Sequence, residues 1–340
     1  MPRQDETLRL TLFVFFIISS SLIAGEYADA FLEFGVSPRI SALANATGAF
    51  DNSLTSFAIN PAGIAYIKKP QIGAMYTSPF GLANYHYIGT AMPVSKSSSL
   101  VFSWIRYGVD DIPLRPDILR LVTNQEDRRD SILLLAQSPF KTFQDCEDAF
   151  FISYGKFRSK EIDLGWRYYK FWAEFPMGIN IKIIHKKLYN VEAFGMGIDI
   201  GGRIRANGED IFDLKGLGKL SVGLAVQNLT KTTIYWNTKR QDVIKARPIL
   251  SFALEQPITP YHLLINLGAE KSFIYDDSFR YGAEFVLKDC VNFRAGFQKT
   301  GISVGLGLNS NWMKKRIAID YAFQNHALGA SHQIGGSVQF

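Results

Sequence analysis

The sequence contains few cysteines, only Cys146 and Cys290 among 340 residues. Two cysteines are too few for a cysteine-type metal site, so no metal and no cofactor are expected. They can form one disulfide in an oxidising compartment or stay free thiols, and the sequence leaves both open. The five histidines are dispersed and none has the spacing of metal ligands: His86, His185, His262, His326 and His332.

Long apolar runs are also scarce. After the N-terminus, no stretch approaches the roughly 20 apolar residues of a membrane helix. The one apolar run, Leu10–Ile23, is followed by Ala28-Asp29-Ala30, an A-x-A cleavage pattern. Residues 1–30 are therefore predicted to be a signal peptide, with an uncleaved anchor as the alternative.

A concentrated basic surface is likewise missing. The net charge is +6, but the Lys and Arg residues are scattered and form no basic helix or RNA-binding signature. No nucleic-acid partner is therefore expected.

Strand-like alternation is what the chain does contain, most clearly near its end. In Ile302–Leu308 and in Ile317–Phe323, large apolar residues share one face, and the other face carries Gly, Ala, Ser and Asp. A period of two predicts strands. A soluble sandwich would bury the bulky face and expose a more heavily charged one. Bulk on one face and small residues on the other is instead typical of transmembrane β-barrels.

Charged residues in the predicted strands share the face of the small residues. A Lys or Arg on the lipid face near the bilayer midplane costs about 2–4 kcal/mol, so these charges are expected to face the lumen. They could pair across the lumen or line a path through it. The residues with this expectation are Asp163, Arg167, Lys182, Asp199, Glu270, Glu284, Arg294 and Asp320.

The fold class predicted from these segments is all-β. We expect a transmembrane antiparallel barrel of about 14 strands over residues 70–340. The expected location is the outer membrane of a Gram-negative-type bacterium, with outer-membrane lipid around the barrel. The aromatic C-terminal residue Phe340 fits this pattern, and we expect it to assist barrel assembly. Counting back from it, the extracellular links are Leu229–Ala246, Lys271–Asp277 and Gln324–Ala330.

Residues 31–69 differ in character from the strands. They are rich in Ala, Asn, Ser and Gly, and they contain the turn-forming sequence Asn60-Pro61-Ala62-Gly63. Small residues allow close packing in a confined space. The segment is predicted to be a hatch or plug inside the barrel, with a plain periplasmic extension as the alternative.

One motif of catalytic type occurs, Gly301-Ile302-Ser303-Val304-Gly305, which matches G-x-S-x-G. A nucleophile elbow requires a sharp turn from a strand into a helix. Here the motif lies inside an alternating strand, so Ser303 is interpreted as a small lumenal residue. No enzymatic activity is expected.

Several motifs in order give the chain a family resemblance. After the Asn60–Gly63 motif come Gly197–Gly201, Gly223–Leu229, Tyr281–Phe285 and Asp320–Phe323. This series resembles the PorV/PorQ group of outer-membrane barrels, relatives of the FadL-type transporters. The PorV-like resemblance implies work with type IX secretion, in which secretion-channel subunits and secreted cargo proteins are the partners. The FadL-like resemblance implies passage of hydrophobic small molecules, with a hydrophobic ligand in the lumen. The secretion role is the favoured expectation and the transporter is the alternative.

Overall fold

The computed structural model describes residues 28–114, 122–136, 140–165, 170–274, 279–326 and 328–340. The predicted signal peptide therefore lies mostly outside the described residues. The helices are α1 (Pro38–Ala42), α2 (Gln125–Ala136) and α3 (Gly208–Phe212), with short 3-10 turns at Ala30–Leu32, Ser56–Ala58, Pro61–Tyr66, Pro79–Gly81 and Thr259–Tyr261. None of the helices in these ranges is long and apolar enough to cross a membrane.

The strands are β1 (Gln71–Thr77), β2 (Asn84–Ser95), β3 (Ser98–Pro113), β4 (Thr142–Lys156), β5 (Ser159–Asp163), β6 (Lys170–Glu174), β7 (Met177–Leu188), β8 (Val191–Asn207), β9 (Lys219–Gln227), β10 (Thr233–Trp236), β11 (Gln241–Val243), β12 (Arg247–Ile258), β13 (Leu263–Ser272), β14 (Phe279–Leu287), β15 (Val291–Gln298), β16 (Gly301–Trp312), β17 (Lys315–His326) and β18 (Gly329–Gln339).

These strands form a closed antiparallel barrel with 14 strands in its wall. Each wall strand pairs with its neighbours, and β18 closes the ring by pairing with β1, where Gln71 lies opposite Gln339. β10 pairs with β8 and β11, and so continues the wall beyond β9 and β12. β5 and β6 form a hairpin between β4 and β7, and the end of β6 pairs with the end of β8. The predicted fold class is confirmed.

The two faces of the wall are sorted as the alternation predicts, and β7 shows this clearly. Ile179, Ile181 and Ile183 are exposed on the outside, whereas Asn180 and Lys182 are buried on the inside. Such an arrangement is stable only where apolar solvent surrounds the barrel, because it leaves bulky apolar side chains unburied by protein. The barrel is therefore a membrane-spanning one of the kind found in bacterial outer membranes.

A row of polar side chains marks one edge of the apolar band. Cross-strand pairing places His86 beside Arg106, Arg106 beside Asp148, and Asp148 beside His185 on the outer face. Lys156 lies at the other end of β4. About eight residues of β4 separate Asp148 from Lys156. At the rise and tilt of barrel strands, this corresponds to a height of about 20 Å along the barrel axis. This height suits the apolar thickness of an outer membrane.

The first residue of β1 and the last residue of β18 lie at the same end of the barrel, which we term the periplasmic end. There, the backbone N–H of Phe340 donates to the Pro70 carbonyl at 3.0 Å, and Lys315 Nζ lies 4.7 Å from the Phe340 ring centroid. The opposite end is the extracellular end, where the three extracellular links are predicted. The link predicted at Leu229–Ala246 lies at this end, and within it β10 and β11 form a hairpin that pairs with β8.

Adjacent residues of β17 test the orientation of the wall. Ile319 faces outward and is exposed, while Ala318 lines a cavity inside the barrel. We expect Ile319→Arg to prevent stable insertion, since an Arg facing lipid costs up to about 2–4 kcal/mol. Ala318→Arg is expected to be tolerated better, because its charge reaches a polar space. Heat-modifiable mobility of the protein in outer-membrane fractions measures this, and equal tolerance would contradict the assignment of faces.

Candidate functional site

The N-terminal segment lies inside the barrel. We term residues Ala28–Lys69 the plug. Its apolar side chains, including Val36, Ile40 and Phe57, are almost fully buried in a cluster with the inner wall. The plug begins in the extracellular half, where Lys186 Nζ donates to the Ala28 carbonyl, and it ends beside the start of β1. The chain thus runs down through the lumen before the wall begins.

The predicted hatch motif makes a tight turn against the wall. Asn60 caps the 3-10 turn that follows it, because its Oδ1 accepts from the Ala62 N–H at 3.0 Å. The same side chain donates through Nδ2 to the Gly202 carbonyl of β8 at 3.3 Å. Pro61 is suited to the first position of such a turn, since it has no N–H to leave unpaired. The motif therefore both shapes the plug and attaches it to the wall.

Two neighbouring glycines of β8 provide a test of this fit. A Cβ on Gly201 would lie 2.1 Å from Asn60 Oδ1, whereas a Cβ on Gly202 would meet nothing closer than 3.9 Å. We expect Gly201→Val to displace the motif, at a cost of about 1–3 kcal/mol typical of overpacking. Gly202→Val is the matched control and is expected to leave the plug in place. Limited proteolysis of the plug in purified protein measures the difference, and similar cleavage of both variants would contradict it.

Small residues recur on the inner face because the plug backbone touches the wall there. A Cβ on Gly178 would lie 2.2 Å from the Pro61 carbonyl oxygen, and one on Gly268 would lie 2.2 Å from the Ala46 carbonyl oxygen. A Cβ on Gly296 would similarly lie 2.4 Å from the backbone N of Ala44. The sequence indicated only that the inner face is small. The structure shows that the small residues form the surface on which the plug lies.

Glu284 of β14 is the centre of the most buried ion network. It accepts from Arg39 of the plug at 2.9 and 2.7 Å, and from Arg294 of β15 at 2.7 Å. Arg294 also pairs with Asp320 of β17, and Arg39 with Asp51 of the plug at 2.7 Å. Glu284 and Arg294 side chains are almost fully buried. The network therefore joins the plug to three wall strands.

The position of Arg39 in this network affects its protonation. Burial by itself acts to lower the pKa of the guanidinium, but the carboxylates of Glu284 and Asp51 outweigh it and raise the pKa above the ordinary value. Arg39 therefore stays charged and keeps both acids as partners.

The other predicted lumenal charges have different surroundings. Lys182 and Asp199 form a buried pair at 2.7 Å, and the Asn228 N–H also donates to Asp199 at 2.8 Å. Glu270 accepts from the Gly48 N–H of the plug at 3.1 Å and from Ser251 at 3.0 Å. The Glu270 contact attaches the plug to the wall, and the Lys182–Asp199 pair joins neighbouring strands of the wall.

The prediction for Asp163 is wrong. Asp163 is predicted to face the lumen, but it ends β5 in the β5–β6 hairpin, where it is exposed and pairs with Lys170 at 3.1 Å. β5 is not a strand of the wall, because β4 pairs directly with β7. Arg167 lies outside the described residues.

The sequence did not identify several charged residues that form ion pairs inside the lumen. Arg39 and Asp51 belong to the plug, and Arg247 of β12 pairs with Glu33 of the plug. A signal was available: the predicted plug contains few charged residues, and each charge inside a lumen needs a partner. The partners lie far away in sequence and could not be named from it.

The lumen contains a cavity of about 460 Å³ near the periplasmic end. The plug forms the roof of the cavity with Val36, Arg39, Phe50 and residues 52–55. The wall contributes both apolar and polar groups. Wall residues lining it include Met75, Leu264, Asn266, Glu284, Asn292, Arg294, Ala318 and Asp320. The Glu284 network therefore lies at the boundary between plug and cavity.

The sequence also contains a serine in a catalytic-type motif and two cysteines. Ser303 lies within β16, and the strand continues on both sides of it. Cys146 on β4 and Cys290 in the turn before β15 are both free thiols. Across the described ranges, no three His, Cys, Asp or Glu side chains lie together in a way that could hold a metal ion. The structure thus defines a transmembrane barrel whose lumen is occupied by its own N-terminal segment.

Several solved structures are similar to this chain at low sequence identity. The Ralstonia pickettii toluene transporter TbuX is 11% identical, with a TM-score of 0.44 over 90% of this chain and 97% of that one. The Pseudomonas putida toluene transporter TodX is 8% identical, with a TM-score of 0.44 over 90% and 97%. A Pseudomonas aeruginosa FadL homologue is 9% identical, with a TM-score of 0.35 over 90% and 98%. No protein-family model and no curated protein matches the sequence.

Proposed function

We propose that this protein passes small hydrophobic or amphipathic molecules across the outer membrane, with the plug as its gate. The observation that carries the proposal is the size of the free lumen. A cavity of about 460 Å³ lies within the range of small-molecule sites. More than half of the residues that line it are polar or charged, such as Asn266 and Asn292, and they lie beside apolar residues such as Met75 and Leu264. This mixture suits a molecule that has both apolar and polar parts.

The secretion role favoured by the PorV/PorQ resemblance fits this lumen less well. A folded cargo protein cannot enter a space of this volume, and a chain in extension would first have to displace the buried plug. Several extracellular links are also short, such as Tyr189 and Asn190 between β7 and β8. Short links give a large partner little surface to bind. The FadL-like alternative therefore becomes the main proposal.

Passage requires the plug to rearrange. Val36, Arg39 and Phe50 roof the cavity, and the same part of the plug meets the wall at Leu43 and Ala44. Buried ion pairs hold it in place, so the structure corresponds to a closed state. We infer that a molecule arriving from outside reaches the cavity when this roof shifts.

Uptake into intact cells tests the proposal, because the outer membrane of a heterologous host is itself the barrier to apolar compounds. The host makes the protein, and uptake of radiolabelled toluene, oleate and the polar sugar maltose is measured. We expect faster uptake of toluene or oleate, or of both, and no change for maltose. Uptake of all three at the rate of cells that make an unrelated barrel would contradict the proposal. Co-purification of secretion-channel subunits or cargo would instead favour the secretion role.

A further inference from the structure

A group of aromatic rings closes the lumen at the extracellular end. Phe34 of the plug lies with its ring centroid 5.7 Å from that of Tyr85 and 5.9 Å from that of Tyr107, stacking on the latter. The Phe80 ring packs against Phe34 in a tilted arrangement, with centroids 6.1 Å apart and an angle of 58° between the rings, and it also contacts His326 at 5.0 Å. Phe80 belongs to the loop between β1 and β2, whereas Tyr85 and Tyr107 belong to the wall. The loop therefore bends inward until it reaches the plug.

The Phe80 backbone is strained in this position. Its φ of 56° and ψ of 13° lie in the left-handed region, which bulky residues seldom adopt. Such strain persists only where the surroundings impose it, and it often marks a moving part. Two kinds of contact hold Phe80: its ring lies on Phe34 and His326, and its N–H donates to Ser331 Oγ at 3.1 Å.

We propose that Phe80 is a lid that occupies an external binding site for an apolar ring on the face of Phe34. A ring of the ligand would replace the Phe80 ring against Phe34, and the strained loop would relax outward. Phe80 would then act as an internal competitor that keeps the site closed when no ligand is present. This inference rests on the proposed passage of hydrophobic molecules, for which it supplies the first contact.

The site is suited to a planar ring more than to a flexible chain. Aromatic rings pair best in offset or tilted arrangements with centroids 4.5–7 Å apart, which are the geometries already present around Phe34. Tyr85 is completely buried, and Tyr107 lies parallel to Phe34 within 10°. These residues fix the orientation of Phe34, so the side of its ring that Phe80 contacts is preorganised for a second ring.

Phe80→Gly is the direct test, because glycine adopts the left-handed conformation without cost and so preserves the loop. The ring alone is lost. Leu82→Gly is the matched control: Leu82 lies in the same loop and is 72% exposed. Proper folding of both variants is checked by heat-modifiable mobility. The probe is 4-fluorotoluene, whose binding to protein in lipid nanodiscs is followed by ¹⁹F NMR, with empty nanodiscs subtracted.

We expect Phe80→Gly to bind 4-fluorotoluene about tenfold more tightly than the unmodified protein, as loss of one competing ring contact predicts. Leu82→Gly should leave the affinity unchanged, and adding Phe34→Leu to Phe80→Gly should remove the gain. An unchanged affinity in Phe80→Gly would overturn the lid. So would an equal gain for the chain compound 1-fluorohexane, since the site would then not select a ring. Binding is measured at equilibrium, so a failure of uptake with an intact gain would count against the proposed function and not against the lid.

Discussion

Glu284→Gln is expected to lower the free energy of unfolding by about 3–5 kcal/mol, the cost typical of removing one partner from a buried ion pair. The substitution keeps the size of the side chain but leaves Arg39 and Arg294 without the carboxylate they share. Arg39 retains Asp51 and Arg294 retains Asp320. The decrease in the free energy of unfolding should therefore be smaller than the decrease expected if both arginines were left without any partner. Urea unfolding in lipid vesicles, followed by tryptophan fluorescence, measures the change.

Asp163→Asn is the matched control for this prediction. It also removes a carboxylate from an ion pair, but Asp163 and Lys170 are both exposed in the β5–β6 hairpin. Water replaces such a pair at little cost, so we expect almost no change in stability. A loss as large as that of Glu284→Gln would mean that burial of the network does not determine its contribution.

Joining the plug to the wall by a disulfide is expected to abolish uptake. A Cβ on Gly282 would lie 3.1 Å from Leu43 Cβ, slightly closer than the Cβ separation of a relaxed disulfide. Leu43→Cys with Gly282→Cys, in a background where Cys146 and Cys290 are replaced by Ala, should form the bond with small adjustments. Because Leu43 belongs to the part of the plug that roofs the cavity, the bond would hold the gate closed.

The measurement compares uptake of the transported probe before and after reduction. Under oxidising conditions the double variant should take up no more than cells with an unrelated barrel, and a membrane-permeant reductant should restore the rate. Leu43→Cys alone is the control for the loss of the leucine side chain. Full uptake by the oxidised double variant, with the disulfide verified by mass spectrometry, would show that molecules pass without movement of this part of the plug.

The sequence by itself determined the wall of the barrel. Strand alternation is a local property, since successive side chains point to opposite faces. The sorting of Ile179, Ile181 and Ile183 from Asn180 and Lys182 therefore needed no knowledge of neighbouring strands. The predicted segments Ile302–Leu308 and Ile317–Phe323 lie within β16 and β17 for the same reason.

Only the tertiary structure decided which segments belong to the wall and which charges meet. Asp163 alternates as a wall residue does, yet it lies in a hairpin, because the pairing of β4 with β7 excludes it. Arg39 and Glu284 are separated by 245 positions, and Asn60 and Gly202 by 142. Contacts over such distances depend on how the plug lies in the closed barrel. The composition of the plug and the inner glycines indicated that the two would pack closely, but their alignment was fixed by the complete fold.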